Sequence, residues 1–566
     1  MAKRPALEAL DAMEGVKLPA PKKQKSGGQR EGGEAAPSAG YGDLYLDTID
    51  RNVLDFDFEK LCSVSLSNIN VYACLVCGRY YQGRGPRSHA YFHALDEDHH
   101  VFINMQTQRV YVLPEGYEVH SRSLDDIKFV ADPRYTRADV AGLDGGRRQT
   151  QTQTQTQQHH VTLAGRPYAP GYVGMNNIKE NDYLNVVVQA LAHVPPLRNF
   201  FLLDEVAAQE ARRRSSNTAT TGEKRPEAAA NRELVRRFGL LVRKIWNPRA
   251  FKAHVSPHEL LQEVALRSSK RFTLTAQSDP ADFLAWFLNH LHLGLGGSRS
   301  RPASSIVQRV FQGRVRVRSE TLAAVGARAA AAAADDAMQV DDDDNNDKAS
   351  SYHTSGPLPA TASPSLPPPP PPSSSIPPPP GDEQERNIIP QVPLAALLAK
   401  YDGESAREQG DVRRRFRLQA PLPPYLVLHI KRFSANKFVA ERNPTIVTFD
   451  PLGLDMRPFV DGEPGSADSP IPYDLVANVV HEAVRAGGDD VAVDSAEERR
   501  TWKVQLRERQ AAGATPPALA APATAAEQDK WVVVQDLFVE PVAGELLYLA
   551  ESYIQIWERR RPSAPS

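Results

Sequence analysis

Cys62, Cys74 and Cys77 are the only cysteines in this 566-residue chain. No disulfide framework can be built from so few and so clustered, and thiols grouped in a large chain point to a reducing compartment and to metal. Cys74-x2-Cys77-x15-His93-x5-His99 has the spacing of a closed tetrahedral site. A two-residue spacer lets one turn present both sulfurs, and two imidazoles complete the sphere. With no position left for a reacting water, the expected ion is a structural Zn2+. The competing reading is a pair of ordinary buried thiols, and the histidines downstream weigh against it. Cys62 and His89 remain alternative ligands.

Composition divides the chain further. Residues 1–41 are rich in Ala, Gly, Lys, Glu and Pro and should form a disordered basic tail. Lys22-Lys23-Gln24-Lys25 within it reads equally as a nuclear import signal or as a solvated charge cluster. A small finger domain is expected over 42–142 and a low-complexity Gln/Thr linker over 143–167. A large domain follows over 168–561, interrupted by disordered inserts at about 316–385 and 505–527. The first insert carries an alanine run, Asp341 to Asp344 and two proline runs. Net charge is −2, which gives no global argument for nucleic acid or membrane, and no apolar run reaches bilayer length.

Within the large domain, Tyr183 to Leu203 predicts a helix interrupted at Pro195-Pro196, with Asp182 as its N-cap. Leu234 to Trp246 and Ala281 to Leu295 are further helices. Tyr425 to Ile430, Trp531 to Val534 and Tyr553 to Trp557 are strands by their β-branched and aromatic content. Helices come first and strands dominate the second half, an α+β arrangement.

Gly174-Met-Asn-Asn-Ile-Lys-Glu-Asn-Asp182-Tyr-Leu-Asn185, with Gln189 beyond it, resembles the opening box of the ubiquitin-specific protease family. Asp279-Pro-Ala-Asp282 to His292, Leu422-Pro-Pro-Tyr to Lys431-Arg-Phe433, Tyr473-Asp-Leu-Val-Ala to His481, Trp531 to Asp536 and Ser552 to Trp557 are similar to its later boxes. The resemblance implies a papain-like fold with a cysteine nucleophile, a histidine base and an orienting Asp or Asn. Here those positions fall on Asp182, Thr501 and Gln535, with Asp536 adjacent to the last. Asn177 matches the oxyanion-stabilising asparagine. An ionised carboxylate is a poor nucleophile toward an amide, so a pseudo-protease is expected.

Cys74-Leu-Val-Cys-Gly-Arg-Tyr80 resembles the ubiquitin-binding zinc finger of the same family. That resemblance makes Cys62 and His89 leftovers of a second site whose other positions are Ser65 and Gln82. It also assigns Arg79 and Tyr111 to a pocket for the ubiquitin tail, with an aromatic position replaced near Leu113. Leu54-Asp-Phe-Asp-Phe to Cys62, Trp246-Asn-Pro-Arg249 and Phe251-Lys-Ala-His-Val-Ser-Pro-His258 resemble the family's inactive branch, which serves pre-mRNA splicing in the tri-snRNP. This implies a nuclear scaffold whose partners are spliceosomal snRNP proteins and whose RNA contact is indirect. A ubiquitin reader that does not cleave is the alternative, and an active deubiquitinase with an unrecognised nucleophile is a weaker one.

Overall fold

The computed structural model describes residues 45–144, 160–208, 231–321, 389–409, 411–435, 440–461, 469–484, 499–508 and 530–560. The basic tail, the Gln/Thr run and the interiors of both expected inserts lie outside the described residues.

The chain first forms a five-stranded antiparallel sheet from β1 (Val71–Cys74), β2 (Tyr80–Gln82), β3 (Val101–Asn104), β4 (Val110–Val112) and β5 (Tyr117–Val119), in the order β2-β1-β3-β4-β5. Helix α1 (His89–Asp96) lies between β2 and β3, and α2 (Asp125–Ala131) follows β5. Ser88 starts α1 by accepting a hydrogen bond from Tyr91 N–H. One sheet face buries Val71, Ala73, Val101 and Ile103 with Leu54 and Leu124, and the other buries Tyr72, Cys74 and Phe102 with Ala90 and Ala94. Strands of three or four residues make two thin cores, the situation in which small domains rely on a metal staple.

Helix α3 (Arg137–Asp144) already belongs to the larger body, because Val140 and Tyr135 pack in its core. The last residues of the 42–142 segment thus pack on the larger body, not on the finger sheet. Helices α4 (Asp182–Ala192), α5 (Pro195–Leu202), α6 (Arg232–Ile245), α7 (His258–Arg267), α8 (Pro280–Gly294) and α9 (Ile306–Phe311) come next. Pro195 opens α5, where its missing N–H is not needed, and so divides the long apolar run into two helices. Asp279 caps α8 by accepting from Ala281 and Asp282 N–H, with Pro280 at the first position.

Strand β6 (Arg314–Thr321), helix α10 (Leu394–Leu398), β7 (Asp402–Gln409), β8 (Val412–Gln419) and β9 (Tyr425–His429) follow. The C-terminal strands are β10 (Pro472–Val484), β11 (Arg499–Glu508), β12 (Lys530–Gln535), β13 (Phe538–Val542) and β14 (Glu551–Arg559). The main sheet runs β9-β14-β10-β11-β12-β13, all antiparallel, with the short strand Leu454–Asp455 beside β10. One face packs on the helices through Val479, Trp502, Val504 and Ile554. Its other face carries Tyr473, Leu475, Trp531 and Trp557 into a second core with α10. Strand β6 extends to Thr321 and β11 to Glu508, so the residues read as the openings of both inserts are ordered ladder, closed by pairing with β8 and β12.

Finger and larger body meet along the segment 54–60. Lys244 Nζ donates to Phe56 O at 2.6 Å and to Asp57 Oδ1 at 2.9 Å, and Ser256 N–H donates to Asp57 Oδ2 at 3.0 Å. Lys252 reaches Asp55 and Asp57, His258 reaches Glu59, and Lys60 reaches Glu259. Burial works against the Asp57 charge, yet Lys244, Lys252 and the Ser256 N–H outweigh it and hold the carboxyl at about 2.

Candidate functional site

Two constellations stand out, one in each part. In the finger, Cys74 ends β1 and Cys77 closes the turn that leads to β2. Gly78 has φ +75°, and a Cβ there would lie 2.5 Å from Val53 O, so only glycine lets the turn pass beneath that segment. Helix α1 supplies His93 and the loop after it His99. The donor atoms of Cys74, Cys77, His93 and His99 all lie within 4.8 Å of one another. His93 Nε2 is 3.4 Å from Cys77 Sγ and 3.1 Å from His99 Nδ1, while its ring stacks on Tyr81 at 4.2 Å. Two sulfurs and two ring nitrogens converging in this way fit a tetrahedral zinc.

The alternative ligands are not brought into this cluster. Cys62 Sγ accepts from Ser65 N–H at 3.4 Å, and Ser65 Oγ donates to Gln82 Oε1 at 2.9 Å. A hydrogen-bonded chain thus links three of the four positions assigned to the second metal site. His89 opens α1 and lies outside the group of four. Tyr111 of the expected tail pocket is buried, and the Arg84 guanidinium lies 4.2 Å above its ring. Arg79 is exposed, and Leu113 is fully buried.

The second constellation surrounds the N-terminus of α4. The strand Gly174–Met175 approaches the β12–β13 turn so closely that a Cβ on Gly174 would lie 2.8 Å from Leu537 Cα and O. Met175 N–H donates to Asp536 O at 2.7 Å. The turn that follows is knitted by asparagines. Asn177 Oδ1 accepts from Asn181 N–H, Asn181 Oδ1 from Ile178 N–H, and Asn181 Nδ2 donates to Asn176 O and Asn185 Oδ1. Asn177, the asparagine matched to oxyanion stabilisation, thus spends its carbonyl on the local turn.

Asp182 is the first helical residue, not the cap expected from sequence. Asn181 occupies the cap position, and the Asp182 carboxylate turns sideways to other partners. It is 6% exposed. Oδ1 accepts from Tyr183 N–H at 2.9 Å, Oδ2 accepts from Trp502 N–H at 3.1 Å, and Gln277 Nε2 donates to both oxygens at 3.2 and 3.1 Å. Burial pushes its pKa up, with the nearby Glu180 charge adding to that, while the three donors pull the other way.

Trp502 is buried, its ring 4.8 Å from Tyr553 and 5.1 Å from His481. The space left between Asp182, Asn185, Trp502 and Asp536 is about 10 Å3, barely one water. Thr501 does not face Asp182; its hydroxyl donates to Glu482 O across the ladder. Asp536, with φ +50°, lines the remaining space, and Gln535 pairs with Phe538 instead. His481 pairs with Glu551 and His429 packs on Tyr553. Trp502 and Gln277 went unread in the sequence, since one acts through a backbone N–H and the other lies in an unpatterned loop.

Asp182 is thus a carboxylate whose oxygens already accept from three donor groups, and an ionised carboxylate is a poor nucleophile toward an amide. Against known proteins, residues 173–557 match the family model described as ubiquitin carboxyl-terminal hydrolase, and residues 62–124 match the zinc finger in ubiquitin-hydrolases and other proteins. The chain is 42% identical over 520 residues to the probable mRNA-splicing protein ubp10 of Schizosaccharomyces pombe, covering 91% of this chain and 88% of that one. It is 41% identical to ubiquitin carboxyl-terminal hydrolase 39 of Homo sapiens, covering 91% and 80%. A crystal structure of an essential yeast splicing factor aligns with a TM-score of 0.62 at 25% identity, covering 91% of this chain and all of that one.

Proposed function

This chain belongs to the ubiquitin carboxyl-terminal hydrolase family, and from that premise we propose that it is a non-catalytic nuclear scaffold in pre-mRNA splicing, supporting assembly or maintenance of the tri-snRNP. The observation that carries the reading is Asp182, buried in a cleft closed by Trp502 with its oxygens occupied by Trp502, Tyr183 and Gln277 donors. A hydrolase needs at that place an exposed nucleophile and room for a peptide carbonyl. The splicing assignment draws on the names of the relatives, and the partners it implies are snRNP proteins.

In this reading Cys74, Cys77, His93 and His99 hold one structural zinc, which fixes the finger and takes no part in chemistry. Ubiquitin capture by the finger is disfavoured, because Arg84 already covers Tyr111. The decisive experiment is complementation of a nuclear extract depleted of the protein, paired with a ubiquitin-conjugate cleavage assay. Restored splicing and tri-snRNP recovery without cleavage is the expected result. Thiol-independent cleavage that disappears on changing Asp182, or extract that splices normally after depletion, defeats the proposal.

A further inference from the structure

Away from both constellations, β6, β8 and β7 form a separate three-stranded sheet in the order β6-β8-β7. Its sequence alternates. Val315, Phe416 and Leu418 point to one side and pack on the second core. Arg314, Arg316 and Arg318 of β6 and Arg413, Arg415 and Arg417 of β8 share the opposite side, because Arg316 pairs with Arg417, Arg318 with Arg415, and Glu320 with Arg413. Like charges directly opposite on a ladder are destabilising, so two cross-strand arginine pairs are not what folding alone selects.

Six guanidiniums on this side meet four nearby carboxylates, Asp461, Glu320, Glu408 and Glu404. Asp461 is shared by Arg316 at 2.7 Å and Arg417 at 2.9 Å, Glu320 holds Arg415 at 3.1 Å, and Glu408 approaches Arg413 at 3.5 Å. Asp402 spends its carboxylate on its own turn, accepting from Glu404 N–H, Ser405 N–H and Ser405 Oγ, and gives Arg417 only its carbonyl. Arg314 and Arg318 are exposed and have no ion pair among the described residues. A depression of about 180 Å3 lies between Arg316, Arg318, Arg415 and Arg417, with Glu404 and Asp461 also on its wall.

We propose that this arginine face binds the phosphate backbone of RNA directly, in place of the indirect contact expected from sequence. Successive arginines on one strand stand about 6.8 Å apart, and the neighbouring strand repeats them about 4.8 Å away. That is a flat, periodic array of planar donors, suited to a chain that repeats its anion and carries no side-chain pattern. An acidic protein segment offers carboxylates at irregular spacing and fits less well. The choice of RNA as the polyanion rests on the splicing reading above; the binding itself is measured without it.

The test uses the full chain and a fluorescein-labelled 20-nucleotide single-stranded RNA, read by anisotropy across a salt series. The double variant Arg314→Gln, Arg318→Gln breaks no ion pair seen in the fold and should melt as the wild type does. It is expected to bind about tenfold or more weakly, with the slope of log K on log salt reduced by about 1.4, two single-strand phosphate contacts. Arg314→Lys, Arg318→Lys should keep most of the affinity, and Arg414→Gln, on the opposite side of β8, should change it little. No binding by the wild type at low salt overturns the inference, as does equal weakening by Arg414→Gln. Tighter binding of a polyglutamate peptide than of RNA at this face also overturns it, in favour of an acidic protein. A wild-type chain that restores splicing yet binds no RNA would remove this inference and leave the scaffold reading intact.

Discussion

Replacing Asp182 with alanine should loosen the whole closed cleft. Its carboxylate receives Trp502 N–H, Tyr183 N–H and both contacts from Gln277. Alanine leaves the buried Trp502 N–H facing a methyl group, at a cost of about 1–3 kcal/mol for an orphaned donor. The lost Tyr183 and Gln277 bonds add about 1 kcal/mol each. Some of this is returned, because burial already penalises the charge, as the raised pKa indicates. A net loss of about 3 kcal/mol is expected, with faster hydrogen exchange along residues 499–508. Asp182→Asn keeps an oxygen for Trp502 and should cost less. The pH dependence follows from the raised pKa. A carboxyl whose folded pKa exceeds its ordinary 3.8 contributes most stability below that value and loses it as the pH rises through the folded pKa. Asp182→Asn should therefore gain on the wild type as the pH climbs above 3.8. Denaturant unfolding followed by Trp fluorescence, with exchange mass spectrometry, measures both. An alanine variant within about 0.5 kcal/mol of wild type, with Trp502 still protected, refutes the brace.

Cys74→Ala should abolish binding of one zinc per chain and unfold the finger while α4 to β14 stay folded, which metal analysis and limited proteolysis will show. Asp57→Ala leaves the buried Lys244 without its carboxylate and should cost about 3–5 kcal/mol, detaching the finger from the larger body in exchange measurements. The Asp57 contribution, with its pKa held down at about 2, is present above pH 3.8 and should fade as the pH falls toward 2. Building a thiol and an imidazole back with Asp182→Cys and Thr501→His should still yield no cleavage of ubiquitin conjugates, because Thr501 faces Glu482 and Trp502 fills the space. Turnover by that double variant would show that the cleft opens.

Features that a local pattern encodes were legible in the sequence. The four candidate metal donors follow a spacing rule, and the apolar periodicity from Ala281 to Leu295 marks α8. Strands around Tyr425, Trp531 and Tyr553 are apolar enough to stand out. The ordered strand hidden in the start of the first insert was missed because its alternation, Arg314-Val-Arg-Val-Arg318, pairs charge with valine and reads as hydrophilic. Period two was present; hydrophobicity was not. Asp182 was misjudged for another reason. A carboxylate before an apolar run suggests a cap, but its partner Trp502 lies 320 residues away and presents a backbone N–H, which carries no residue identity. Arg84 over Tyr111 is equally invisible, being a contact between one side chain and another that no spacing predicts.

The seam between finger and larger body shows what such a sequence can still reveal. Among the strings that marked the chain's resemblance to the inactive branch were the acidic stretch from Leu54 and the basic stretch from Phe251 to His258. The fold puts them in contact, Asp55 and Asp57 with Lys252, Asp57 with Ser256, and Glu59 with His258. The Lys244–Asp57 pair at the centre of the seam is buried and the flanking pairs are half-buried. A buried pair adds little net stability but penalises misaligned arrangements, because an unpaired buried charge is costly. Both the cleft and the seam are cross-braced by polar groups with specific partners, centred on the buried Asp182 and Asp57. In the scaffold reading the outer surface carries the function, and on the face of β6 and β8 Arg314 and Arg318 are exposed with no ion pair among the described residues.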